Sequence, residues 1–327
     1  MLYLTEEQVR QVMTISKAIP VVQKSHEDCS NGLIFYCDRI TLQVRGNDNL
    51  AIWLPACLRH LPYFGVKYAT GFPANAIKGL PTVISQISLY SADTGELLCI
   101  ISANYLTAVK TGASAAVATD VMARKNATKL GIIGTGIQAF TQVTAIQEIR
   151  KLTELRVYDL DEKRADAFIA QVKEVQNRPY SVIRAGSGDD CAVNSEIICT
   201  CTPSATPVFR ADSLNPGCHL NAIGSYTPFV QEVDEGTVIK ANKIVTEHVE
   251  ELWKVAGDIL IPFNKGLITK EKVTGSVGDV LTGKVAGRES DKEITMYESN
   301  GSGVLDLSIA IAVYEQFKYG EPTASNV

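Results

Sequence analysis

The chain has 327 residues, 46% of them hydrophobic and 20% charged, with a formal net charge of −5. That length suits two globular domains, and the acidic balance offers no basic field for nucleic acid or anionic lipid. No apolar run reaches transmembrane length, no signal-peptide pattern opens the chain, and the eight cysteines show neither Cys-x-x-Cys nor zinc spacing, so the expectation is a cytoplasmic protein with reduced thiols, no membrane partner and no metal.

Taken in order, residues 1–4 lead directly into a helix opened by Thr5-Glu6-Glu7-Gln8, which has the form of a capping box. Pro20 breaks or restarts that helix, which runs on to about Asn31-Gly32. Short strands are then expected over 40–44, 50–54, 64–69, 83–90 and 97–102, with Asp93-Thr94-Gly95 as a hairpin turn, giving an antiparallel sheet. A small-residue helix over 108–123 bridges to a region where strands alternate with helices: 129–134, 155–159, 181–184, 197–200, 219–223 and 243–245. Such alternation predicts a doubly wound, mostly parallel sheet. A last helix, 304–317, apolar on one face, follows a Gly301-Ser302-Gly303 hinge and returns to the first domain.

The strongest motif begins the alternating region. An apolar strand runs into Gly134-Thr135-Gly136-Ile137-Gln138-Ala139, a helical pattern follows, and a second strand ends on Asp159. Gly134 allows the tight strand-to-helix turn, Gly136 lets a pyrophosphate approach the backbone, and Ala139 permits close helix–strand packing. The helix N-terminus adds free N–H groups and a positive dipole end. In this context the motif predicts a nicotinamide or flavin dinucleotide site. Asp159 would accept hydrogen bonds from the ribose hydroxyls, favouring NAD(H) over NADP(H), although Arg156, Lys163 and Arg164 are near enough in sequence to accommodate NADPH.

Other polar residues carry two readings each. Lys67 stands in an apolar strand, where it either meets an anionic substrate or points to solvent. Arg39 opens a strand as either a ligand to that anion or a surface residue. Lys110 and Thr111 sit near the start of the bridging helix, at an anion site or a plain cap. Ser225 and Tyr226 follow a strand end, where doubly wound sheets place ligands, or belong to an ordinary loop. His219, in an apolar strand, reads as a core residue.

In combination these segments resemble the ornithine cyclodeaminase / μ-crystallin family, nearly end to end. The resemblance is carried by Arg39, Trp53-Leu54-Pro55, residues 67–75, Pro81-Thr82-Val83, residues 106–113, 131–139, Tyr158-Asp159, 221–232 and Glu298-Ser299-Asn300-Gly301. It implies an α/β fold of two domains: a Rossmann dinucleotide-binding domain over 118–300, and a discontinuous substrate-binding and dimerisation domain over 1–117, joined by the helix of 301–327. It also implies a homodimer with its active site in the cleft between domains. By position, Arg39 and Lys67 would hold the substrate carboxylate and its carbonyl or imine group, with Lys110 and Tyr226 beside it. Thr82, Thr111, Gly134, Thr135, Gly136, Ile137, Gln138, Ala139, Asp159, Ser225 and Ser299 would line the cofactor.

Three departures narrow the activity. Tyr226 stands where the cyclodeaminases carry an aspartate, Ile52 where they carry the glutamate that reads the ornithine amine, and Lys110 where the family usually has arginine. What remains suits hydride transfer to the carbon of a 2-imino or 2-oxo acid, Lys67 stabilising charge or supplying a proton. The expected activity is reduction of a cyclic imine such as Δ1-pyrroline-2-carboxylate, with Ile52, Trp53 and Leu54 as an apolar wall. Alanine dehydrogenase, ornithine cyclodeaminase and a non-catalytic μ-crystallin-like binder are the alternatives, in that order.

Overall fold

The computed structural model describes residues 1–45, 49–225 and 227–320; Tyr226, one of the expected site residues, lies outside them. The chain divides into two compact units, Met1–Lys110 together with the chain from Ser302, and Thr111–Gly301.

In the first unit the order is β1 (Leu2–Leu4), α1 (Glu6–Val12), α2 (Ile15–Ser30), β2 (Ile34–Tyr36), β3 (Ile40–Gln43), β4 (Leu50–Leu58), β5 (Tyr63–Gly71), β6 (Val83–Ser91) and β7 (Leu97–Ser102). Next comes α3 (Asn104–Met122), within which the division between the units falls. The capping box at Thr5 is present. The break expected at Pro20 is absent: the helix stops at Met13 and restarts under a second cap, the Thr14 side chain accepting from Lys17 N–H, and Pro20 lies inside α2. The sheet runs β1-β7-β6-β5-β4-β2, with β3 also on β4, antiparallel except where β1 joins β7 in parallel. Residues 2–4 therefore form an edge strand instead of leading straight into a helix, and they cover the edge that 97–102 would otherwise expose. Three residues are too few to show a period of two.

Helix α11 (Gly303–Tyr319) closes this unit by packing on α2 and on β4, β5 and β6. From Val304 to Tyr314 every residue is buried, so the helix is a core element rather than an amphipathic lid. Gly65 makes the close approach possible: a Cβ there would stand 2.8 Å from Leu307 Cδ1 and 2.7 Å from the Ser88 carbonyl oxygen.

The second unit contains β8 (Lys129–Ile133), α4 (Ile137–Ile149), β9 (Glu154–Tyr158), α5 (Glu162–Glu174), β10 (Ser181–Arg184), α6 (Gly188–Val193), β11 (Ile197–Thr200) and β12 (His219–Ala222). It continues with α7 (Glu235–Lys240), β13 (Lys243–Thr246), α8 (Val249–Val255), α9 (Gly257–Asn264), β14 (Gly275–Ser276), α10 (Val277–Leu281) and β15 (Thr295–Glu298). The sheet order is β10-β9-β8-β11-β12-β15-β13-β14, every pairing parallel. β11, β12 and β15 are buried along their whole length, as strands covered on both faces must be. His219 is a satisfied core residue. Its ring nitrogens lie 2.9 Å from Thr295 Oγ1 and 3.2 Å from Asn221 Oδ1, and burial pulls its pKa down to about 3. Among the described residues no helix is long and apolar enough to cross a membrane.

Candidate active site

The nucleotide motif folds as its spacing demands. Gly134 takes φ +90°, and a Cβ on it would stand 2.6 Å from Thr202 Cγ2 and 2.8 Å from the Cys201 carbonyl oxygen, so only glycine fits this turn. Gly136 is the N-cap of α4 and makes no side-chain cap. A Cβ there would meet nothing within 4 Å. An open cradle over an uncapped helix N-terminus fits a pyrophosphate. Ala139 is fully buried against the sheet, while Ile137 stands exposed and Gln138 half-buried.

Asp159, at the end of β9, is tied to this loop. Its Oδ2 accepts from Thr135 N–H (2.9 Å) and the Thr135 hydroxyl (2.6 Å), and its Oδ1 accepts from Asp161 N–H (3.0 Å). Burial works against its ionisation, but the hydroxyl, the two N–H groups and the Arg164 charge outweigh it and hold its pKa below the usual value. Asp159 is thus a fixed anion. Arg156 is engaged elsewhere, 2.8 Å from Glu154 and 3.5 Å from Asp190. We therefore expect NADH to bind more tightly than NADPH, and Asp159→Ala to narrow or invert the ratio. Equal affinities in a fluorescence titration, unchanged by the substitution, would refute this.

Acidic side chains brace the loops at the carboxyl end of this sheet. Glu232 accepts from Thr202 N–H (2.5 Å) and Gly224 N–H (2.6 Å). Glu247 accepts from the Ser299 hydroxyl (2.8 Å) and Asn300 N–H (3.0 Å), which sets Ser299 in place. Ser225 is buried, donates to the Val230 carbonyl (3.0 Å) and accepts from Asp258 N–H (3.1 Å). Its hydroxyl proton is spent inside the loop. Thr111 is buried in α3.

The first unit gathers the expected anion ligands. On the sheet, Lys67 lies in register between Leu54 of β4 and Ile87 of β6, and the next row on the same face holds Ile52, Ala69 and Ser85. Lys67 is 8% exposed and Lys110 only 3%. Both point to one carboxylate, Asp306 on α11: Lys67 Nζ lies 3.1 and 3.2 Å from its two oxygens, and Lys110 Nζ 3.8 Å from Oδ1. Burial lowers the Lys67 pKa; Asp306 raises it, while Lys110 and Arg39 lower it further. Arg39 is half-buried ahead of β3 with its field on Lys67. Thr82 is exposed in the loop before β6, its carbonyl accepting from Phe72 N–H (2.7 Å).

Trp53 departs from the expected wall. Successive strand residues face opposite sides, so Ile52 and Leu54 share the face of Lys67 while Trp53 stands on the other, its ring centroid 5.2 Å from that of Tyr68. Asp306 was not among the expected site residues. Its signal in the sequence is a lone carboxylate in the apolar run Val304-Leu305-Asp306-Leu307-Ser308-Ile309. A charge there requires a buried partner.

The profile of the ornithine cyclodeaminase/mu-crystallin family matches residues 1–321. The chain is 34% identical over 314 residues to an alanine dehydrogenase of Archaeoglobus fulgidus, covering 96% of this chain and 94% of that one. It is 32% identical over 316 residues to a Δ1-pyrroline-2-carboxylate reductase of Bacillus cereus, covering 97% and 96%. Among solved structures, the Thermococcus litoralis Δ1-pyrroline-2-carboxylate reductase in complex with NADH and L-proline superposes with a TM-score of 0.94, at 29% identity and full coverage of both chains. An archaeal alanine dehydrogenase dimer with bound NAD gives 0.91 at 32% identity, covering 99% and 98%.

Proposed function

The chain belongs to the ornithine cyclodeaminase/mu-crystallin family, and on that premise we propose that it reduces a cyclic 2-imino acid such as Δ1-pyrroline-2-carboxylate. It is an NAD(P)-dependent oxidoreductase acting on CH–NH or CH–NH2 groups. The cofactor supplies a hydride; Gly134, Gly136 and Ala139 shape its phosphate cradle and Asp159 reads its ribose. Arg39, Lys67 and Lys110 hold the substrate carboxylate, and Lys67 presents a proton to the imine nitrogen.

One observation carries the choice of substrate. On the face of Lys67 its own row holds Leu54 and Ile87 and the next row holds Ile52, Ala69 and Ser85, uncharged and mostly apolar side chains that suit a ring bearing no second charge. Ile52 leaves a distal ammonium such as that of ornithine without a partner, which a buried site tolerates poorly. The same wall suits the methyl group of pyruvate, which keeps alanine dehydrogenase as the second reading.

An NADH-oxidation screen tests this. Δ1-Pyrroline-2-carboxylate should be reduced fastest, pyruvate with ammonia more slowly or not at all, and L-ornithine with NAD should yield no proline. Faster reduction of pyruvate with ammonia would move the assignment to alanine dehydrogenase. Proline from ornithine would overturn it, and a protein that retains NADH without oxidising it would be a binder.

We further infer a cytoplasmic homodimer joined through the first unit. The eight free cysteines suit a reducing compartment. Unpaired edges at 83–91 and 97–102 are not what calls for a partner, because β6 is internal and β1 covers β7. The support lies in side chains instead: Ile40, Leu42, Phe64, Val83 and Ile84 all stand exposed on this unit. Light scattering at micromolar concentration should return about twice the 35.4 kDa chain mass. A monomeric mass would contradict it.

A further inference from the structure

Asp306 enters the anion site from the far end of the sequence, 239 residues after Lys67. It is 2% exposed and sits on a helix otherwise buried among apolar side chains. A lone carboxylate there would be costly, and so would the buried cations it faces. The charged groups acting on Lys67 are Asp306 from α11, Lys110 from α3 and Arg39 from the segment before β3. Two of these three are cations, so Asp306 alone among them favours a charged Lys67.

We propose that Asp306 is the positioning residue for Lys67, holding its ammonium on a fixed line between two carboxylate oxygens and keeping it protonated until substrate arrives. This rests on the reductase reading above. The geometry supplies both halves of the role. The near-equal distances of 3.1 and 3.2 Å fix Nζ against the plane of the carboxylate. Lys110, at 3.8 Å from Oδ1, shares the same anion and so limits how strongly it can retain the Lys67 proton.

In the reaction a Nζ–H bond of Lys67 breaks as an N–H bond forms on the imine nitrogen. A bound reduced nicotinamide would supply a hydride, with its electron pair, to the imine carbon, so that the C=N double bond becomes single and the nicotinamide is oxidised. Lys67 is left as a neutral amine and regains its proton from solvent. Burial already lowers the Lys67 pKa, and losing Asp306 would lower it further, leaving a smaller share of the lysine with a proton to give.

The test reads the lysine directly. Full-length protein carrying 13C at lysine Cε is titrated by NMR, the Lys67 signal being identified by its loss in Lys67→Met. In Asp306→Asn the Lys67 midpoint should fall by roughly 1–3 pH units, the effect of removing an opposite charge at this range. Asp306→Glu should restore most of that loss. The alkaline limb of the kcat profile with Δ1-pyrroline-2-carboxylate should move by the same amount, while the KM for NADH stays unchanged. A purely structural Asp306 would lower activity uniformly and leave midpoint and limb in place, which overturns the proposal. Where Asp306→Asn fails to fold, Lys110→Met decides: losing a like charge should raise the Lys67 midpoint, and an unmoved midpoint overturns the coupling. Should the wild type reduce no imine, the reductase reading fails, and the NMR titration still judges Asp306.

Discussion

Lys67→Met should lower turnover of the cyclic imine about 30- to 1000-fold, the cost of roughly 2–4 kcal/mol when a charged donor is lost from a desolvated reaction site. Lys67 is the buried cation whose Nζ lies within hydrogen-bond reach of Asp306, in register with the apolar row of Leu54 and Ile87. Methionine keeps the length of the side chain and fills the space, so the variant removes charge and proton without opening a cavity. Asp306 retains Lys110 at 3.8 Å, so circular dichroism and a thermal melt should show a folded variant. Arg39→Ala makes the contrast. Arg39 is only half-buried, so its loss should remove ground-state and transition-state binding alike and raise KM with a smaller change in kcat. A Lys67→Met enzyme within threefold of normal kcat would show that this lysine neither donates the proton nor stabilises the developing charge.

Much of this was legible in the chain because the signals were local. The turn at Gly134, the open cradle at Gly136 and the carboxylate ending the second strand all sit within 26 residues of one another, and each folds as its spacing requires. Periodicity likewise gave the alternating strands of the second unit to within a residue or so. What escaped was set by distant partners. Residues 2–4 are a strand because β7 has a free edge beside them. β14 and β15 are a two-residue and a four-residue segment whose character comes from β13 and β12. Trp53 adjoins Ile52 and Leu54 in sequence but not in space, because the two-residue alternation of a strand turns it to the other side of the sheet. Asp306 was missed for a related reason: an acid within an apolar helix is a question that its own helix cannot answer, and the answer lies on β5 and α3.

The other large effect concerns pH and the stability of the second unit. Burial pushes the Glu232 pKa up to about 7 from 4.5, despite hydrogen bonds from Thr202 and from Gly224 N–H that favour the anion. Burial also raises Asp258 and Glu298, and the neighbouring charges acting on Glu298 are those of Asp258, Glu232 and Glu247. Neither oxygen of Glu298, nor Oδ2 of Asp258, has a hydrogen-bond partner among the described residues. In a site of this kind the carboxyls hold their protons longer folded than unfolded. For Glu232 the sign follows directly: below pH 4.5 both states are protonated, between 4.5 and about 7 only the folded state keeps the proton, and above 7 both are ionised. Stability is therefore lost as pH rises through that window, by roughly 3 kcal/mol at about 1.4 kcal/mol per unit. His219 works in the opposite sense, since its pKa falls from 6.5 to about 3 on burial and its contribution grows as pH rises from 3 to 6.5. His219 opposes Glu232 between pH 4.5 and 6.5 while the raised Asp258 and Glu298 act in the same sense as Glu232, so a wild-type stability curve alone does not isolate Glu232. The difference between Glu232→Gln and wild type isolates the carboxyl. Urea unfolding followed by Trp253, which packs against Phe263 in this unit, reports the right region once Trp53→Phe removes the second tryptophan. Relative to the wild type, Glu232→Gln should gain roughly 3 kcal/mol between pH 4.5 and 7 and level off above, whatever constant offset its lost hydrogen bond imposes. A difference flat across that range would mean that Glu232 ionises as an ordinary surface glutamate, and that the loops of Thr202 and Gly224 are held by a full charge.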